Sequence, residues 1–157
     1  MKLKYINIYN NLIKLTRNKS LYENININET FSMRLIIFLM HFAFFLKIFK
    51  NNCSKKTMQE IYDFIFRQIE TSIREIGYGD VSINKKMKDY LNIFYKLIEN
   101  IDKWKEIDNN QKKFFLEEYI DKSINTSFFI NYFDKYESFL EKNSLNSFSK
   151  DILEPKI

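Results

Sequence analysis

The residues that could do chemistry in this chain are few, and their spacing forms no catalytic arrangement. The sequence contains one histidine, His41, and one cysteine, Cys53. A nucleophile needs a positioned base and a metal site needs several ligands at short spacing, so these two residues alone build neither. No G-x-S-x-G or H-E-x-x-H motif occurs, and the stretch "GYGD" is too short for a phosphate-binding loop. The sequence therefore predicts a protein that is not an enzyme, with no catalytic residue, cofactor or metal.

The histidine lies in the most apolar stretch of the chain, "LIIFLMHFAFFL" at residues 35–46. These surroundings favour a neutral core histidine with a structural role, bonded to a backbone carbonyl or a facing side chain. A haem-ligand role for His41 is the alternative, and no second ligand supports it. Twelve residues rise only about 18 Å as a helix, short of the roughly 30 Å of a hydrocarbon core. The sequence therefore predicts a buried helix rather than a membrane span.

Both glycines of the chain, Gly77 and Gly79, stand in "IREIGYGDVSINKKMK" at residues 73–88. Gly77 comes just after a helically periodic stretch, so we expect it to end that helix in a left-handed backbone conformation. The next helix should be capped by Asp80 or Ser82. The lysines that follow are either a solvated helix face or a positive surface for an acidic or phosphate-rich partner. They are Lys85, Lys86 and Lys88.

The elements that would position these residues are helices. Two glycines and one proline in 157 residues leave too few turn signals for a sandwich or barrel. Apolar periodicity predicts an all-α, single compact domain of about six helices around a central apolar one. We expect residues 1–29 to form an amphipathic helix and a polar loop, residues 30–142 the helical core, and residues 143–157 a loosely ordered tail. The expected helices cover residues 4–16, 30–49, 58–76, a stretch after residue 80, 114–120 and 126–143.

Local patterns refine three of these helices. Thr57 and Glu60 match a capping box at the start of the third helix. The aromatic stripe at residues 128–140 predicts core packing rather than a docking groove. On the helix after residue 80, the residues expected to face inward are Met87, Tyr90, Leu91, Phe94, Tyr95 and Ile98.

The charge of the chain points to an anionic partner. The net charge is +5, a mild excess of basic residues. The N-terminal stretch "MKLKYINIYNNLIKLTRNKS" is basic and amphipathic, and resembles neither a signal peptide nor a transit peptide. These features predict a cytoplasmic protein in peripheral contact with an anionic membrane, and no DNA partner. A basic helical adaptor for RNA or the ribosome is the alternative interpretation, although no RNA-binding motif occurs.

Two blocks of the sequence together resemble the ubiquinol-cytochrome c chaperone family of alphaproteobacteria and mitochondria. The first block, "ETFSMRLIIFLMHFAFFL" at residues 29–46, carries Thr30-Phe31, Arg34 and His41 in a leucine-rich helix. The second, at residues 66–95, departs from the family pattern at Gln68, which replaces an acid. Lys96-Leu97 then replaces the Gly-Arg that often follows. The matching positions of the second block are Arg74-Glu75, Gly77, Gly79-Asp80, Lys85, Lys86, Met87, Lys88 and Phe94-Tyr95.

The resemblance implies an all-helical, non-enzymatic assembly factor for cytochrome b. Such proteins bind newly made cytochrome b and support assembly of the respiratory cytochrome bc complex, and the mitochondrial relatives act with a small partner protein near the ribosome. For a bacterial-type chain, the resemblance implies a position on the inner face of the inner membrane. It also implies structural roles for Gly77, Gly79, His41 and Arg34. The implied partner-binding residues are Arg74, Glu75, Tyr78, Asp80, Lys85, Lys86 and Lys88.

Overall fold

The computed structural model describes residues 4–26 and 29–150. These residues form eight α-helices and no strand, which confirms the predicted all-α class. Two helices, α2 and α8, are five and six residues long and were not predicted. The elements are α1 (Ile6–Thr16), α2 (Lys19–Glu23), α3 (Phe31–Phe49), α4 (Lys55–Glu75), α5 (Asp80–Asp102), α6 (Asn109–Tyr119), α7 (Thr126–Glu141) and α8 (Leu145–Lys150).

Helix α3 is the centre of the fold. It packs against α1, α5 and α7, which explains why it is apolar nearly all round. Within residues 4–26 and 29–150 it is the one helix long and apolar enough to cross a bilayer by length and composition. Most of it is buried inside the protein, as expected for a core helix. The aromatic stripe of α7 packs inward against α3, which confirms its predicted place in the core.

Helices α4 and α6 start earlier than predicted, and a side-chain cap explains each difference. Thr30 caps α3 as its hydroxyl accepts from the Met33 amide at 3.1 Å. The predicted capping box at Thr57 is wrong, because Ser54 accepts from the Thr57 amide at 3.1 Å and starts α4 earlier. Helix α6 likewise starts before residue 114, since Asp108 and Gln111 form a capping box. The predicted side-chain cap of α5 is also wrong, as the site geometry shows below.

The inward face of α5 is only partly as predicted. Tyr90 and Phe94 are buried, but Tyr95 is 55% exposed and does not face the core. The buried positions continue in steps of three and four residues, and the shift moves Leu97 inward in place of Tyr95. The buried residues of this helix are Ile83, Tyr90, Phe94, Leu97 and Ile101.

Two segments expected to be irregular are helical because each buries an apolar anchor. Leu21 of α2 is fully buried within the predicted polar loop. Phe148 of α8 is also fully buried, with ring contacts to Phe45 at 5.5 Å and Phe49 at 5.7 Å. The prediction of a loose tail is therefore wrong for Leu145–Lys150. Residues 151–157 of that predicted tail lie outside the described residues.

Candidate functional site

The predicted site lies where α4 turns into α5, and we call residues 74–88 the α4–α5 corner. Gly77 has φ of +103°, which confirms the expected helix stop, and its amide donates to the Arg74 carbonyl at 2.9 Å. Gly79 has φ of −74° and ψ of 164°, an extended conformation open to any residue. Gly79 itself occupies the N-cap position of α5, so the predicted caps at Asp80 and Ser82 are wrong.

An ion pair joins the two helices across the corner. The Arg74 guanidinium donates to the Asp80 carboxylate at 2.7 Å and lies 3.9 Å from Glu70. The hydrogen bond to Asp80 raises the pKa of Arg74. Both partners are largely exposed, so the pair adds little to stability in water. The pair holds the Arg74 side chain of α4 against Asp80 in the first turn of α5 and partly neutralises the guanidinium.

The remaining charges of the corner divide into engaged and unengaged groups. The Lys86 ammonium lies 4.4 Å from the centre of the Tyr78 ring, in cation–π geometry. Glu75, Lys85 and Lys88 are exposed and make no hydrogen bond or ion pair with the part of the chain that the structure describes. All seven predicted partner-binding residues therefore lie on one corner. Three of them, Glu75, Lys85 and Lys88, have no side-chain partner among the described residues.

The corner also exposes apolar side chains, two of which were not predicted from the sequence. Ile76 is 49% exposed and Val81 86%, and the predicted Tyr78 is 41% exposed. Apolar groups that stand together among charges are typical of protein contact surfaces. No sequence signal identified Ile76, because it follows the same helical period as the buried Ile73.

His41 is enclosed in the core, with both ring nitrogens bonded. Nδ1 donates to the Ile37 carbonyl at 2.8 Å, so Nε2 accepts the Tyr132 hydroxyl at 2.6 Å. The Tyr136 hydroxyl donates to the His41 carbonyl at 2.9 Å. Burial lowers the pKa of His41 to about 4, which keeps the ring neutral. The geometry confirms the predicted neutral core histidine and leaves neither nitrogen free to ligate a haem iron.

Arg34 does not have the structural surroundings expected of it. Its side chain is 45% exposed, and its ion-pair partner Glu29 stands 3.9 Å away. Such a long surface pair contributes little to the fold. Arg34 lies instead at the edge of a surface groove.

This groove, which we call the α1–α4 groove, has a volume of about 650 Å³. Its lining is mainly apolar and comes from four helices, with α2 contributing Lys19, Tyr22 and Glu23. It was not predicted from the sequence, because the amphipathic pattern of α1 does not indicate which helices its apolar side approaches. The side chains inside the groove are Tyr9, Ile13 and Thr16 of α1, Phe31, Leu35 and Phe38 of α3, and Ile69 and Ser72 of α4.

The described residues form an all-helical protein with an exposed, charged corner and a mainly apolar groove on its surface. A family model described as ubiquinol-cytochrome C chaperone matches residues 23–111, more than half of the chain. The chain belongs to this family. The match includes the whole α4–α5 corner and the α3 and α4 walls of the groove. A chaperone acts by binding a client protein, so membership implies a non-enzymatic role. Neither the curated proteins nor the solved structures gave a match.

Proposed function

We propose that this protein binds newly made cytochrome b and supports assembly of the cytochrome bc complex, ubiquinol-cytochrome c reductase. The observation that carries the proposal is the family match over residues 23–111. Of the residues that first indicated this family, those between Arg74 and Lys88 lie together on one exposed corner, where a second protein has access to them.

The α4–α5 corner has the chemistry of a protein-recognition surface. Ile76 and Val81 offer apolar area, while Lys85 and Lys88 offer cations that no intramolecular partner within residues 4–26 and 29–150 neutralises. The apolar area supplies binding free energy once water is displaced. The charges set the orientation and the rate of encounter. On this proposal the corner contacts either the client or a second assembly protein.

Cytochrome b is a membrane protein, so its chaperone has to work at a membrane surface. We place the protein on the cytoplasmic face of the inner membrane, in peripheral contact with anionic lipid. The net charge of +5 supports this placement, because each basic residue near an anionic surface contributes about 1 kcal/mol. A small partner protein and the ribosome belong to the same proposal, as sites of client transfer.

An adaptor for RNA or the ribosome is the second candidate, and the unengaged Lys85 and Lys88 are the observation in its favour. The other two cations of the corner, Arg74 and Lys86, are engaged by Asp80 and Tyr78. Binding to RNA through phosphates would fall steeply as salt is raised. A flat salt dependence in RNA binding would exclude this candidate.

Deletion of the protein tests the proposed function directly. We expect the assembled cytochrome bc complex to be lost, as measured by native gels and by the haem b absorbance of membranes. Capture from detergent-solubilised membranes should recover cytochrome b rather than ribosomal proteins. Normal levels of the complex after deletion would show that the proposal is wrong.

Charge reversal tests the corner. We expect Lys85→Glu with Lys88→Glu to reduce recovery of cytochrome b at least fivefold and to leave the melting temperature unchanged, because both side chains are exposed. The matched control is Lys55→Glu with Lys56→Glu, which makes the same change in net charge at the other end of α4. Equal losses in the two variants would mean that net charge matters and the corner does not.

A further inference from the structure

One end of the α1–α4 groove is closed by contacts between the start of α1 and the first half of α4. At the closed end the Tyr5 hydroxyl donates to Glu60 at 3.0 Å, and the Tyr5 and Phe64 rings lie 6.2 Å apart. The α1 and α4 residues that line the groove lie further along the two helices, at Tyr9, Ile13 and Thr16 and at Ile69 and Ser72. Its floor is α3, where the Phe38 ring lies 5.8 Å from the Tyr9 ring of α1.

The walls repeat with the period of an α-helix. Phe31, Leu35 and Phe38 follow one another at spacings of four and three residues on α3. A stretch of seven residues along a helix axis is about 10 Å long, so the groove has room for about two turns of another helix. Helices that lie in apolar grooves use anchors at this same spacing.

The apolar wall of α4 continues beyond the groove. Ile69 and Ser72 line the groove, and Ile76 follows four residues after Ser72 on the same side of the helix. Ile76 is 49% exposed at the α4–α5 corner. The groove and the corner therefore form one extended surface, which suits an elongated chain better than a small enclosed ligand.

The rim at the opposite end of the groove has a net positive charge. The side chains of Arg17 and Lys19 are exposed and have no ion-pair or hydrogen-bond partner within the described segments. Arg34 and Glu29 face each other at 3.9 Å, which leaves Glu23 as the one opposing charge. The excess of one cation favours an occupant with acidic residues beside its apolar part.

We infer that the α1–α4 groove binds an apolar helix of the client, about two turns long, with acidic residues beside Arg17 and Lys19. This inference rests on the proposed chaperone function and names the segment that the chaperone would recognise. The apolar anchors of the helix would replace water on the groove floor. The acidic residues would set its direction in the groove.

A pair of synthetic peptides tests the inference. Both are 15-residue helices with leucine at i, i+3, i+4 and i+7, and they carry glutamate or lysine at their ends. We expect the purified protein to bind the glutamate peptide at least fivefold more tightly by fluorescence anisotropy. Arg17→Glu with Lys19→Glu should reverse this preference. Lys55→Glu with Lys56→Glu, the control, should leave it intact.

Filling the groove tests its location. We expect Ser72→Trp to weaken binding of both peptides at least tenfold, because the indole would occupy the space between α4 and α1. Circular dichroism establishes whether each variant is folded. If Ser72→Trp is unfolded, the Arg17→Glu with Lys19→Glu variant, which changes only exposed side chains, provides the test. Unchanged peptide affinity in Ser72→Trp, or no preference between the peptides, would overturn the inference.

Three further outcomes distinguish failure of the groove inference from failure of the proposed function. Binding to phosphatidylglycerol vesicles without binding to either peptide would assign the groove to lipid and overturn the inference. Normal amounts of cytochrome bc complex in cells with Ser72→Trp would overturn the groove as a client site and leave the proposed function standing. Normal amounts after deletion of the whole chain would instead overturn the function.

Discussion

Protonation of one buried side chain, His41, is expected to destabilise this protein when the pH falls from 7 to 5. The ring is fully buried and neutral, with Nδ1 donating to Ile37 and Nε2 accepting from Tyr132. Protonation would place a hydrogen on Nε2, the second on the ring, facing the Tyr132 oxygen, and would put a positive charge in an apolar core. Burial therefore lowers the pKa of His41 from 6.5 to about 4.

The difference in pKa fixes the direction and size of the effect. Between pH 6.5 and pH 4 the unfolded chain binds a proton at His41 and the folded chain does not, so stability falls as the pH falls. One unit of pKa corresponds to about 1.4 kcal/mol, which gives about 3 kcal/mol when both states are protonated. From pH 7 to pH 5 the expected loss is about 2 kcal/mol. Well above pH 6.5, the pKa in the unfolded chain, His41 is neutral in both states and this loss of stability is absent.

Urea denaturation at pH 7 and pH 5 measures this loss, with His41→Gln as the comparison. Carboxylates also titrate toward pH 5, but they do so in both proteins, and the difference between the two isolates His41. We expect the wild-type protein to lose about 2 kcal/mol more than the variant. Tyr132→Phe should instead destabilise at both pH values, because it leaves Nε2 without its donor.

A direct titration gives the second measurement. The chain has one histidine, so its imidazole signals in an NMR spectrum need no assignment. We expect their midpoint in the folded protein near pH 4. A midpoint near 6.5, or equal pH dependence in the wild type and His41→Gln, would refute the buried, neutral histidine.

Three further predictions concern the backbone and the packing. Gly77→Ser should cost about 1–2 kcal/mol in urea denaturation, because φ is +103°, whereas the same change at Gly79, an N-cap with φ of −74°, should be neutral or stabilising by about 0.5 kcal/mol. Equal effects at the two glycines would contradict the assigned conformations. Phe148→Ala should cost about 3 kcal/mol if α8 is an integral part of the core, and a melting temperature like that of the wild type would show that it is not. Glu137→Gln should cost about 3 kcal/mol in urea denaturation, because it leaves the Lys47 ammonium, 2.6 Å away and 16% exposed, without its counter-ion. Adding Lys47→Met should restore most of the lost stability, and no recovery in the double variant would contradict this account.

Helical periodicity determined the fold class and the central element. The apolar stretch around His41 predicted a helix with apolar surroundings on every side, and the tertiary structure supplies them from α1, α5 and α7. The positive φ of Gly77 was predictable from the sequence, because glycine just after a helically periodic stretch commonly ends a helix in the left-handed conformation. The short helices α2 and α8 were not predicted from the sequence, because each depends on one buried anchor, Leu21 or Phe148, within a polar stretch.

For the candidate site, the sequence by itself placed seven residues together, because 74–88 is one continuous segment across a helix turn. It determined neither which of them are engaged nor what stands beside them. The Arg74–Asp80 pair and the exposure of Ile76 depend on how α4 and α5 meet. The α1–α4 groove was decided by tertiary structure alone. Whether apolar side chains of α1 are buried or line a cleft depends on the distance to α4, and no local pattern encodes a distance between helices remote in sequence.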